Sequence, residues 1–240
     1  MKKKKEKDTL EHVAIIMDGN GRHGERHVGD RVAGHINGAE VAKKIILHAR
    51  ALGIPYLSMW AFSTANWKRS RREVAGIMGL VRKFSMDTNF LMNHDIRLVF
   101  MTLDTDQVDS DTLDIVRSVE DATRGNKDIT VIVQLNYDGL GDVVAAQRLI
   151  AEKIEKGIIG ANDITPVMIK SHLLLGQKNI PDPDLVIRTG GRVRMSNYMM
   201  LNIAESELVF FKELWPEFTE KHLDMAINMF LKTTRNFGDA

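Results

Sequence analysis

Residues 11–24 read E-H-V-A-I-I-M-D-G-N-G-R-H-G. The compact apolar run 13–17 reads as a short strand, and it stops at Asp18-Gly19-Asn20-Gly21, a turn-prone tetrapeptide. Working outward, apolar Val41, Ile45, Ile46 and Ala49 recur at helical spacing in 39–52, and 56–62 (YLSMWAF) forms the next strand. Glu73 starts a long helical pattern whose stripe runs through Val74, Ile77, Met78, Val81, Phe84, Thr88 and Leu91. Strands at 96–101 and 129–135 bracket a helix at 111–124, and helices follow at 142–156 and 165–175. A strand at 184–189, a short one at 208–211 and a helix at 220–235 complete the pattern. Such alternation predicts βαβ crossovers: an α/β fold with one mostly parallel central sheet flanked by helices. No repeat or long Pro/Gly linker divides the chain, so a single domain over 11–240 is expected, after a disordered Lys-rich tail at 1–10.

Ligands of open α/β sheets sit outside the carboxyl ends of the strands, so the loops after residues 17, 62, 135 and 189 are the ones to inspect. Gly19, Gly21 and Gly24 fit a G-x-G-x-x-G spacing after a strand. A dinucleotide site is nevertheless disfavoured, because Asp18 would repel a pyrophosphate and the second strand ends without a ribose-binding acid. A metal-assisted diphosphate site suits the loop better. Asp18 offers a hard oxygen ligand for Mg²⁺, the glycines offer backbone N–H groups, and Asn20 and Arg22 offer side-chain donors, with Arg26, Arg31 and His35 close behind. A plain turn or helix N-cap remains the alternative for Asp18. The second loop, F-S-T-A-N-W-K-R-S-R-R-E, mixes Phe62 and Trp67 with Ser63, Asn66, Lys68, Arg69, Arg71 and Arg72. It is compatible with base stacking, with the lip of a pocket for a phosphate head and an apolar tail, or with a solvated loop leading into a helix. In I-R-T-G-G-R-V-R-M-S-N, Arg188, Arg192, Arg194 and Ser196 fall within nine residues. Guanidiniums that close repel one another unless an anion or carboxylates separate them, and their forks match phosphate oxygens.

Composition narrows the classes. Lys+Arg total 33 against Asp+Glu 32, a net charge of +1, which excludes a broad polyanion binder but not a focused anion site. There is no cysteine, so thiolate nucleophiles, disulfides and Cys-ligated metals are out. The first eight residues carry five Lys, and no apolar segment long enough for a signal or a bilayer span follows them. A cytoplasmic protein is expected, with peripheral contact to an anionic membrane as the one functional reading of the tail.

The blocks H-V-A-I-I-M-D-G-N-G-R (12–22), G-H-x-x-G-A (34–39), F-S-T-x-N-W-x-R (62–69), L-N-Y-x-G (135–139) and D-L-V-I-R-T-G-G-x-x-R-x-S-N (184–197), with L-W-P-E-F near 218, occur in this order. Together they resemble the signature of the cis-prenyltransferases, the undecaprenyl diphosphate synthase-like isoprenyl transferases. The resemblance implies a homodimer that condenses isopentenyl diphosphate with an allylic prenyl diphosphate. Farnesyl diphosphate would be the starter and undecaprenyl diphosphate, a lipid carrier precursor for cell-wall synthesis, the product. It implies Mg²⁺ and an apolar substrate tunnel, no nucleic acid, and peripheral membrane contact for product release. Carried over by position, Asp18 is the essential metal-binding carboxylate, helped by Glu207. Gly19, Asn20, Gly21, Arg22 and Arg31 hold the allylic diphosphate with His35 beside them. Ser63, Asn66 and Arg69 serve the reacting centre and the isopentenyl unit, Asn66 as a catalytic group, and Arg188, Arg194 and Ser196 bind isopentenyl diphosphate. The strand 56–62 and the helix after Glu73 resemble the tunnel walls.

The chain departs from that pattern at His23 (usually Trp), Ala65 (Glu), Leu140 (Arg), Asp138 (Gly), Arg192 (Glu) and Glu205 (Tyr). Losing an acid at 65 and gaining a base at 192 makes the mouth of the site more positive. The diphosphate-binding groups stay while those that tune substrate choice change. This admits a paralogue making a shorter or unusual product, or a non-catalytic partner subunit.

Overall fold

The computed structural model describes residues 9–103 and 106–234; the Lys run at the start and Arg235 lie outside them. Among the described residues, six parallel strands form one sheet in the order β3-β4-β2-β1-β5-β6. They are β1 (His12–Ile16), β2 (Tyr56–Phe62), β3 (Ile96–Met101), β4 (Ile129–Leu135), β5 (Leu185–Arg188) and β6 (Glu207–Phe210). The helices are α1 (Asn20–Val28), α2 (Arg31–Ala51), α3 (Arg71–Ser85), α4 (Thr88–Asn93), α5 (Ser110–Ala122), α6 (Gly139–Glu155), α7 (Pro166–His172), α8 (Leu174–Gln177) and α9 (Glu220–Lys232). The α/β class with helices on a parallel sheet is therefore as expected.

The quoted apolar run occupies a central strand, with β2 on one side and β5 on the other. All five residues of β1 are buried, because alternate side chains enter opposite layers. Val13 and Ile15 join the core built with Ile45, Ile77, Val116 and Leu223 of the covering helices. Ala14 and Ile16 pack with Tyr137, Leu175, Tyr198 and Met199 on the other face. His12 opens the strand, fully buried, donating from Nδ1 to the Pro181 carbonyl at 2.6 Å and facing Ser58 Oγ through Nε2 at 2.8 Å. A carbonyl only accepts, so Nδ1 carries the proton and Nε2 accepts from the hydroxyl. Burial, opposed by that carbonyl and by Asp184 and Asp182, pushes the imidazole down from 6.5 to about 4.

Three helical expectations change. The Gly-rich stretch before residue 39 forms α1 and the first turns of α2, where loop was expected. A Cβ on Gly34 would lie 1.9 Å from the Asn20 carbonyl oxygen, and one on Gly24 would lie 2.6 Å from the Gly34 nitrogen. These glycines are where two helix backbones touch, a tertiary demand that a propensity reading takes for loop. The long helix from Glu73 stops at Ser85 and resumes as α4, because Asp87 caps the new start by accepting from the Phe90 N–H at 3.2 Å. The segment 165–175 splits at Leu173, and the Leu174 N–H donates to the buried Asp142 carboxylate at 3.0 Å. Among the described residues, no helix is long and apolar enough to cross a membrane.

Candidate active site

Asp18 sits two residues beyond β1, where the chain turns into α1. Its carbonyl accepts from the Trp215 N–H at 3.0 Å and the Thr189 hydroxyl at 2.7 Å, so the loops after β5 and β6 both brace it. The turn needs glycine at 19: φ is +118°, and a Cβ there would meet the Leu214 Cβ at 2.8 Å. Gly19, Asn20, Gly21 and Arg22 thus form the start of α1, where unpaired N–H groups and the helix dipole favour an anion. Asn20 donates to the Met17 carbonyl at 3.2 Å, while its Oδ1 is buried with no partner among the described residues.

The loop after β5 closes on the same point. Arg188, 5% exposed, donates to Asp18 Oδ2 at 2.9 Å and to Ser196 Oγ at 2.8 Å, and also holds the Arg194 carbonyl. Arg194 Nε reaches Ser196 Oγ at 3.3 Å, and Arg22 donates to Asp18 Oδ1 at 3.0 Å. Asp18 therefore separates Arg22 from Arg188, while Arg192 is exposed and does not line the cleft.

The loop after β2 supplies the third wall. Ser63 caps the 3-10 turn Thr64–Lys68, and the Asn66 side chain accepts from the Ser63 N–H at 3.0 Å. Glu73, which in the sequence marks only the start of a helical pattern, is the hub here. With its side chain 5% exposed, it accepts from Arg31 at 2.9 and 3.2 Å, His35 at 3.1 Å and Arg69 at 3.0 Å. Burial works against its charge, but Arg31, His35 and Arg69 outweigh it and hold Glu73 at about 2. Burial moves His35 down, and the bond to Glu73 only partly offsets this. The Glu73 hydrogen bond raises Arg31 further. One buried acid thus presets three basic groups; its spacing four residues after Arg69 was the available signal. The basic loop is divided, since Arg69 turns inward to Glu73 and Arg72 pairs with Asp30 at 2.7 Å.

Asp18, Gly19, Asn20, Gly21, Arg22, Arg31, His35, Ser63, Asn66, Arg69, Arg188, Arg194 and Ser196 all line a single cleft of about 370 Å³. Ala65 lines it too, where the family pattern has an acid. An apolar cavity of about 110 Å³ shares Met17, Asn20, His35 and Ala61 with it and runs on between Met59 of β2 and Ile77, Val81 and Phe84 of α3. These are the expected tunnel walls. Glu207 is the exception among the expected site residues. It pairs with Leu185 at the start of β6, whereas Asp18 follows the level of Arg188 and Phe210. Three residues of strand put it about 10 Å further toward the amino ends, so one chain does not bring Glu207 to Asp18. Asp18 is the one acid lining the cleft among the described residues. A lone carboxylate amid guanidinium, amide and hydroxyl donors suits Mg²⁺, which takes one or two carboxylates together with substrate phosphates and waters.

The sequence model of the family described as putative undecaprenyl diphosphate synthase matches residues 16–238. The chain belongs to this prenyltransferase family. The isoprenyl transferase of Geobacillus kaustophilus is 39% identical over 99% of this chain and 96% of its own length. The Micrococcus luteus ditrans,polycis-undecaprenyl-diphosphate synthase, named as specific for (2E,6E)-farnesyl diphosphate, is 35% identical over 95% of this chain and 90% of its own. Among solved structures, lavandulyl diphosphate synthase from Lavandula x intermedia, in complex with dimethylallyl diphosphate, superposes with a TM-score of 0.92. Its identity is 31%, and the match covers 98% of this chain and 100% of that one. In this prenyltransferase the shared fold brings three strand-end loops to one polar cleft with an apolar annex.

Proposed function

We propose that this prenyltransferase elongates an allylic prenyl diphosphate with isopentenyl diphosphate, forming cis double bonds. The carrying observation is the convergence of Asp18, Arg22, Arg69, Arg188, Arg194 and Ser196 on a cleft that continues into an apolar cavity. Arg188, Arg194 and Ser196 hold the isopentenyl diphosphate, while Arg22, Arg31 and the first turn of α1 hold the allylic diphosphate. When the allylic C–O bond breaks, the electron pair leaves with diphosphate, and cations placed in advance stabilise the charge where it develops. The isopentenyl double bond supplies the electrons of the new C–C bond, and the proton then lost passes to the departing diphosphate or to a neighbouring side chain. Asn66 and Ser63 orient the reacting centre. Asp18 would hold Mg²⁺, which supplies further positive charge to the diphosphate oxygens. A metal role for Glu207 requires a second copy of the chain, which accords with the homodimer implied by the resemblance.

Each buried CH₂ of the growing chain contributes about 0.8 kcal/mol, so the reach of the apolar cavity sets product length. Farnesyl diphosphate as starter and undecaprenyl diphosphate as product follow the Micrococcus relative's name. A shorter product is the second reading, favoured by the likeness to a synthase solved with a five-carbon allylic diphosphate. Incubating the protein with Mg²⁺, labelled isopentenyl diphosphate and dimethylallyl, geranyl or farnesyl diphosphate, then sizing the products, decides both points. Elongation of farnesyl diphosphate to a long product supports the first reading, and a single addition supports the second. No elongation with any starter removes the enzyme reading and leaves the non-catalytic subunit.

A further inference from the structure

Helix α1 carries two imidazoles one turn apart, His23 and His27, with ring centroids separated by 4.4 Å. Side chains at i and i+4 lie on the same helix face. Beside that face, the 3-10 turn Trp215–Glu217 presents the Glu217 carboxylate, and one donor atom from each of the three residues lies within 4.8 Å of the other two. His23 Nδ1 is buried and has no hydrogen-bond partner among the described residues. A buried ring nitrogen in that state carries a desolvation cost that a bound ligand relieves. None of the three residues lines the cleft around Asp18, and the proposed reaction makes no use of them.

We propose that His23, His27 and Glu217 form a second cation site, one that takes a zinc-type divalent ion and discriminates against Mg²⁺. Two imidazoles and one carboxylate are a donor set for zinc and its first-row neighbours, whereas Mg²⁺ demands an octahedron of oxygens. Tetrahedral zinc with bonds of about 2.0–2.2 Å holds its donors roughly 3.3 Å apart. The donors, now within 4.8 Å, close by about 1.5 Å or less, which rotation of the exposed His27 side chain accommodates. Glu217 is already anchored: its Oε2 accepts from the Leu214 N–H at 2.9 Å, which leaves Oε1 as its second oxygen. Arg26 stands 3.9 Å from that second oxygen, but its side chain is 63% exposed. An ion pair that exposed contributes little, so it yields to a divalent ion. Three protein ligands leave the fourth position to water.

The ion would tie together two segments that both hold Asp18. Helix α1 begins directly after the Asp18-Gly19 turn, and the Trp215 N–H donates to the Asp18 carbonyl. Occupancy therefore stiffens the diphosphate loop from outside the cleft. It depends on neither the identity of the prenyl substrates nor catalytic competence.

Titration of the untagged full chain with Co²⁺, in buffer holding excess Mg²⁺, tests the site through the visible bands of tetrahedral cobalt. One Co²⁺ per chain is expected, displaced by Zn²⁺ and not by Mg²⁺, with a higher melting temperature in Zn²⁺. His27→Ala alters an exposed residue, and Glu217→Gln keeps an acceptor for Leu214; each should weaken Co²⁺ binding by roughly tenfold or more. Asp18→Asn should leave the bands unchanged. Bands that survive both His27→Ala and Glu217→Gln, bands lost in Asp18→Asn, or no tetrahedral spectrum in the parent protein would each overturn the assignment.

Discussion

Arg188 reaches Asp18 across 170 residues of sequence, its guanidinium donating to Oδ2 at 2.9 Å from a side chain only 5% exposed. Arg22 takes the other oxygen at 3.0 Å, so one carboxylate sits between the groups assigned to two different diphosphates. The predicted consequence is that Asp18→Ala loses activity twice over, through the metal ligand and through two guanidiniums left to repel each other. Turnover should fall by about 10²-fold or more, with an unchanged far-ultraviolet spectrum. Chelating the metal from the parent protein should stop turnover and Mg²⁺ should restore it; near-normal steady-state rates in Asp18→Ala would mean that the metal is held elsewhere.

Glu73 organises Arg31, His35 and Arg69 from a buried position. Glu73→Gln keeps its shape but loses the charge that its basic neighbours pair with; as Arg31 and Arg69 are partly exposed, the loss of these charge-assisted hydrogen bonds should cost about 1.5–3 kcal/mol. Thermal melts should show that loss directly. KM for the allylic substrate should rise along with it, because Arg31 and Arg69 lose their preset positions.

Acid sensitivity should come in two windows. His12 titrates near 4 in the fold against 6.5 when free, so the unfolded chain binds a proton that the native chain excludes between these values. The stability from neutral His12 is fully present above pH 6.5 and is lost as pH falls to 4, a total of roughly 3 kcal/mol. Glu73, held at about 2 against 4.5, contributes stability above pH 4.5 that is lost on the way down to 2. Urea unfolding as a function of pH measures both. In His12→Asn, whose amide keeps a donor for Pro181, the slope between pH 6.5 and 4 should become shallower, leaving the share of His35, which burial also moves down, while the lower window remains.

Gly38 tests the junction between cleft and cavity. A Cβ there would lie 2.0 Å from Asn20 Oδ1 and 2.8 Å from the Trp215 ring. Gly38→Ala should cost about 1–3 kcal/mol as an overpacked site and displace Asn20 from both spaces. Gly79, whose added Cβ meets nothing within 4 Å, is the matched control on α3. The comparison of melting temperature and turnover between the two alanine variants isolates the collision from the loss of a glycine.

The parallel sheet was legible because β1, β4 and β5 are short apolar runs between helical periods, and only burial on both faces accounts for such runs. The site was legible where polar and basic residues gather at strand ends, as in 18–22 and 188–196. Helix α1 was not, because its glycines answer to the backbone of α2, a contact invisible in local propensity. Glu73 was not, because its role lies in three partners, two of them on the far side of β2 in sequence.

Residue order alone determined the α/β class, the strand-end loops and the basic groups gathered in them, since these follow from periodicity and local composition. Tertiary structure decided which charges meet. It brought Arg188 to Asp18, turned Arg69 inward and Arg72 outward, opened the apolar cavity beside His35, and kept Glu207 at the opposite end of the strands. The reason is physical. Hydrophobic periodicity is a short-range pattern, whereas the pairing of charges depends on strand register and on loops that close over more than a hundred residues.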